Sequence, residues 1–173
     1  AGPDVPLGWL GQLAFAFAPH AEVSHVDVGC LVAVPSWCTA QDAAFLPAAE
    51  TAISIAHDAH PRAGESVYVF GAGIIGLLVI AALHGSALVV AVDPVASRRQ
   101  LALRIGAAAA LSPEGLPRRA ADVAVECSGN PKALQAAIDV TRDSGTVVLA
   151  AWDGRKPMSL ALGTRFHRSH LKL

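Results

Sequence analysis

One short segment, Gly71-Ala72-Gly73-Ile74-Ile75-Gly76, restricts the possible folds of this chain more than any other feature. It follows an apolar, β-rich run at 67–70 and opens an apolar run of helix length at 74–83. A second buried-strand pattern at 88–92 ends on Asp93, 22 positions after Gly71. Strand, glycine turn, helix, strand and acid at this spacing form a β-α-β unit that can receive a diphosphate on a helix N-terminus. Each glycine has a separate task. Gly71 allows the tight turn, Gly73 leaves the backbone bare for a phosphate, and Gly76 lets the helix lie close to the sheet. The free N–H groups of Gly73, Ile74 and Ile75 are expected to face the phosphates.

The rest of the chain extends this unit. Residues 96–105 form an amphipathic helix closed by Gly106. Residues 107–111 and 123–126 read as further strands, and 131–140 as a helix started by Asn130-Pro131. Residues 146–151 form a fifth strand and 158–162 a sixth. The link at 112–122 carries Pro113 and Pro117 and is too short for a full crossover helix, so one turn or an extended crossing is expected. Apolar strands alternating with helices imply a doubly wound parallel sheet of the Rossmann type. The helix at 74–83 is apolar nearly all round and is expected to be buried.

The first part of the chain is different. Residues 1–11 read as irregular. Residues 12–23 alternate, with Phe15 and Phe17 on one face, and 25–34 form a second β run stopped by Pro35. Two strands alone do not make a stable domain. Thr39 is a good N-cap for a helix at 40–45, and Pro47 suits the first turn of a helix running to 59.

Asp93 would accept hydrogen bonds from the adenosine ribose and repel a 2′-phosphate, which favours NAD over NADP. Arg98 is a candidate for the adenosine end, whereas Arg99 reads as a solvated helix face. Ser128 and Gly129, in Glu126-Cys127-Ser128-Gly129-Asn130 at a strand end, are positioned to line the cofactor. Cys127 reads as a packing residue, with no base nearby to activate it.

Composition excludes several alternatives. Thirteen basic and fourteen acidic residues give no electrostatic reason to expect nucleic acid or an anionic membrane surface. The stretch 66–92 lacks Asp, Glu, Lys and Arg, but its glycines and a turn at 84–86 divide it, so a membrane span is not expected. Three cysteines without a CxxC pair suggest a reducing, cytoplasmic setting, and the start shows no secretory signal pattern. Among seven histidines, the pairs His57/His60 and His167/His170 have helical spacing but no cysteine or carboxylate cluster in register, so no zinc site is expected from this chain.

Six segments together resemble medium-chain, zinc-type alcohol dehydrogenases, and most of all the branch that includes hydroxyethyl-bacteriochlorophyllide dehydrogenases. They are FAFAPHAEV (15–23), LPAAETA (46–52), VFGAGIIGLL (69–78), VDPVASRR (92–99), ECSGNPKAL (126–134) and GTVVLAAWDG (145–154). The resemblance implies part of a GroES-like catalytic domain at 1–45, a Rossmann domain at 46–165 and a segment returning to the catalytic domain at 166–173. It also implies hydride transfer between an alcohol or carbonyl substrate and NAD, with a homodimer formed through the Rossmann domain. By position, Ala150, Ala151 and Trp152 would approach the nicotinamide. The family's catalytic cysteine and histidine would precede 15–23, its cysteine-rich zinc loop has no counterpart after Pro19, and Glu50 is the one candidate for a third zinc ligand. A dinucleotide-binding module without hydride transfer is the alternative.

Overall fold

The runs at 67–70, 88–92 and 123–125 are apolar on both faces, so each must be covered twice. The computed structural model describes residues 5–152, 154–155 and 157–173. Residues 1–4 of the stretch read as irregular and position 153 of the last resembling segment lie outside this range. The chain divides into two compact units, 1–47 and 48–173.

Helix α2 (Leu46–Ala59), which lies in the second unit from Ala48 onward, leads into β3 (Ser66–Phe70), α3 (Ile74–Leu83), β4 (Leu88–Val92), α4 (Ala96–Ile105), β5 (Ala109–Leu111), β6 (Ala121–Glu126), α5 (Pro131–Val140) and β7 (Thr141–Leu149). The strands form one sheet in the order β5-β4-β3-β6-β7, every pairing parallel. From β3 the chain winds first to one side and then to the other, which is the Rossmann arrangement and puts the switch point between β3 and β6. The link from β5 to β6 holds a turn at Glu114–Gly115 and a bend at Arg118–Arg119 but no helix.

Alternation within each strand separates two cores. Val67, Val69, Val89, Ala91, Val123 and Val125 face α2, α3 and α4. Tyr68, Phe70, Val90, Val92 and Ala124 face α5, with Met158, Leu160 and Phe166 packed beside them. At the start of β3, Asp122 accepts from the Ser66 N–H at 2.7 Å and pairs with Arg142, which fastens that end of the sheet. No helix among the described residues is long and apolar enough to cross a membrane.

Three expectations for the second unit need correction. Residues 158–162 form no strand. The free edge of β7 is occupied instead by Lys172, whose N–H donates to Gly145 O at 3.1 Å and whose carbonyl accepts from Val147 N at 2.8 Å. Helix α3 is buried on one side only, through Gly76, Val79, Ile80 and Leu83, while Ile74 is 61% exposed. Strand β7 also begins earlier and ends sooner than expected, with an irregular register between Ala121 and Val123 of its partner.

The first unit has little regular pairing. Its two strands, β1 (Ala14–Phe15) and β2 (Val32–Ala33), are two residues each and antiparallel, far shorter than the alternation at 12–23 and 25–34 suggests. Before β2 the chain turns through Val28–Cys30, where the Asp27 side chain accepts from Gly29 N. Phe15 and Phe17 do share a face, with ring centroids 5.1 Å apart and edge to face. Thr39 and Asp42 form a reciprocal capping box on α1 (Ala40–Ala44).

Candidate cofactor site

At the C-terminal ends of β3, β4 and β6 lies a cleft of about 600 Å³, lined by Gly71, Gly73, Asp93, Arg98, Ser128 and Lys132 among others. Its floor is the glycine turn. Gly71 adopts φ +92° and donates its N–H to Val92 O at 2.8 Å. A Cβ there would lie 2.9 Å from Ser128 Cβ. Gly76 is tighter still, since a Cβ would fall 1.8 Å from the Gly71 carbonyl oxygen. Gly73 is the opposite case. It caps α3, has an ordinary backbone conformation, and a Cβ on it would meet nothing within 4 Å. No side chain caps α3, so the first-turn N–H groups have no partner within the helix.

Asp93 is buried at 2% exposure and holds the turn from one side. One carboxylate oxygen accepts from Ala72 N at 2.8 Å, in the middle of the glycine segment, and the other from Val95 N at 2.8 Å. The Arg98 guanidinium stands 3.9 Å from the carboxylate and is more than half exposed at the cleft. Arg99 is not the solvated residue its position suggested. It reaches back to donate to the carbonyls of Asp93 (2.7 Å) and Pro94 (2.9 Å), because the sharp turn leaves both oxygens without helix partners.

On the other side the loop after β6 packs against Gly71. Cys127 donates its N–H to Phe70 O at 2.8 Å. Its thiol is pushed up to about 12 by burial and by the adjacent Glu126 charge, which disfavours the thiolate. Gly129 adopts φ +67°, and its N–H, like that of Ser128, is directed into the protein at Glu126. The N–H groups of Ala150 and Ala151 donate to the Glu126 carbonyl at 2.9 and 3.0 Å, and Trp152 is 93% exposed.

Gly71, Gly73, Asp93, Arg98 and Ser128 thus converge on one cleft. Ile74, Ile75, Gly76, Gly129, Ala150, Ala151 and Trp152 are not among the residues that line it. Neither Lys132 nor Glu126 is among the site residues expected from the sequence. Lys132 lines the cleft from the first turn of α5, and nothing in its local sequence marks it. Glu126 had a signal, since Val123-Ala124-Val125-Glu126 ends as Val90-Ala91-Val92-Asp93 does, with a carboxylate closing a buried strand.

His57 and His60 are exposed beside a groove of about 370 Å³ that Ile53 and Leu83 also line, but His60 lies past the helix end at φ +38°. His167 and His170 are exposed as well. Glu50 is exposed and accepts from Ser54 Oγ at 3.5 Å. Among the described residues no group of three or more His, Cys, Asp or Glu side chains comes together that could hold a metal ion.

Residues 73–172 match the zinc-binding dehydrogenase family. The chain belongs to that family. It is 30% identical over 187 aligned positions to D-guloside 3-dehydrogenase of Escherichia coli K12, an alignment covering 99% of this chain and 53% of that protein. Against sorbitol dehydrogenase of Gallus gallus the identity is 33%, over 67% of this chain and 37% of the relative. The crystal structure of 2R,3R-butanediol dehydrogenase from Bacillus subtilis superposes with a TM-score of 0.69 and 28% identity, over 82% of this chain and 44% of that one. The chain spans about half the length, or less, of the relatives it matches. The family is named for zinc, but the donor sets among the described residues do not fit that ion.

Proposed function

We propose that this chain is the cofactor-binding part of a dehydrogenase that moves a hydride between an alcohol or carbonyl substrate and NAD. The observation that carries this proposal is the cleft shared by the bare Gly73 turn and the buried Asp93 carboxylate. The N–H groups of Gly73, Ile74 and Ile75 take the pyrophosphate, helped by the positive end of α3. Gly71 and Gly76 keep that turn against the sheet. Asp93 receives the adenosine ribose hydroxyls on its remaining lone pairs, and Arg98 covers the adenosine end. Ser128 and Gly129 run along the cofactor, and Ala150, Ala151 and Trp152 stand on the nicotinamide side. When bound, the nicotinamide ring supplies the hydride acceptor or donor. Membership in a dehydrogenase family and relatives named D-guloside 3-dehydrogenase, sorbitol dehydrogenase and 2R,3R-butanediol dehydrogenase support the alcohol–carbonyl class of substrate.

Fluorescence titration with NADH and NADPH tests the cofactor choice. The Asp93 charge opposes a 2′-phosphate, so NADH should bind more tightly by about tenfold or more, equivalent to roughly 1.4 kcal/mol. Asp93→Ser also removes the acceptor of Ala72 N–H and weakens both ligands, so the NADH/NADPH ratio is the informative quantity and should shrink. Equal or tighter NADPH binding by the unmutated chain contradicts the assignment.

A further inference from the structure

Glu126 is buried at 1% exposure, and none of the ion pairs among the described residues involves it. A buried carboxylate without a cation is costly unless hydrogen bonds satisfy it. Those bonds come from one place. One oxygen accepts from Ser128 N at 2.7 Å and from the Ser128 hydroxyl, and the other from Gly129 N at 3.3 Å. The Ser128 hydroxyl in turn accepts from Asn130 N at 3.2 Å. The carboxylate therefore gathers the loop 128–130 around itself. That loop is the surface Gly71 packs on, with Ser128 filling the space a Gly71 side chain would need.

We propose that Glu126 is a positioning residue for dinucleotide binding, acting through Ser128 to fix the Gly71 turn. The inference rests on the proposed cofactor cleft. Sheet order gives it a mirror image. β3 lies between β4 and β6, so Asp93 holds the glycine turn from one neighbouring strand through Ala72 N, and Glu126 holds it from the other through Ser128. Asp93 also faces the cleft, whereas Glu126 is not among the residues that line it, so Glu126 acts only through the loop. Its main-chain carbonyl meanwhile accepts from Ala150 and Ala151, so one residue sets the loops after both β6 and β7.

Glu126→Gln keeps the shape but turns an NH₂ toward one of the loop donors, a donor-to-donor clash. The NADH dissociation constant should rise by about tenfold or more, the scale of one charge-assisted hydrogen bond. Amide hydrogen exchange separates positioning from plain stability. It should accelerate at Gly71, Ser128 and Gly129 and stay unchanged at Val123–Val125 inside β6. A folded variant with NADH affinity within about twofold of the parent, a change well below one such bond, overturns the proposal. So does an affinity loss accompanied by faster exchange along all of β6, which would mark Glu126 as a stability residue. If the variant does not fold, the unmutated chain still decides: Ser128 and Gly129 amides that exchange as fast as open-loop amides contradict the proposal. An unmutated chain that binds no NADH ends the cofactor assignment itself, whatever exchange shows at the loop, and the inference with it.

Discussion

Residues 5–47 and 48–173 are both rich in apolar side chains, but they use them differently. In the second unit the apolar strand residues face two opposed layers, and Val67, Val69, Ala91, Ala124 and Val125 are fully buried. In the first unit Val34 is the one described hydrophobic residue that is buried, while Leu7, Phe17 and Trp37 are more than 80% exposed. The difference shows what apolar alternation does by itself. It gives a strand a sided pattern, but a strand persists only where a neighbour and a covering layer complete it. β3 has a partner on each edge and helices on both faces. β1 has one partner, two residues long.

The contrast is sharpest at single residues. Phe70→Ala removes a fully buried ring from the second core and should cost about 3–5 kcal/mol, read as a lowered denaturant midpoint. Gly76→Val should follow at about 3 kcal/mol, the upper end of ordinary overpacking, because the added Cβ meets a backbone carbonyl that cannot move aside. Trp37→Ala, in the first unit, should change stability by no more than about 0.5 kcal/mol. A Trp37 effect as large as that of Phe70 would erase the distinction between the two units.

The same contrast explains what was legible in the sequence. Helices α3, α4 and α5 run over the residues their local signals marked, because Gly73, Gly106 and Asn130-Pro131 punctuate the chain where the helices start or stop. The convergence of Gly71, Gly73, Asp93, Arg98 and Ser128 was also legible, since strand ends and turn glycines carry it. What failed depended on distant partners. Residues 158–162 alternate like a strand, but Lys172 already occupies the edge they would need. The alternation at 12–23 is real at Phe15 and Phe17, yet pairing supports only two residues of it. Arg99 looked solvated because the carbonyls it binds lie in a turn whose shape the sequence alone does not give. Glu126 has no visible role in the sequence although its strand ends as the Asp93 strand does, because only the folded loop brings its three donors together.

Gly73→Val tests the central claim most directly, namely that the cleft above the glycine turn holds a dinucleotide. A side chain at Gly73 meets open space within the protein and adopts an unstrained backbone, so the variant should fold and melt cooperatively near the parent temperature. The space it fills is the one assigned to the pyrophosphate. With NADH at a hundredfold excess over the parent's dissociation constant, the unmutated chain should gain about 2.7 kcal/mol, seen as a raised melting temperature. The account predicts that Gly73→Val loses this gain while keeping its ligand-free stability. A full NADH-induced shift in the folded variant would contradict it, because the phosphates would then be bound somewhere other than over Gly73.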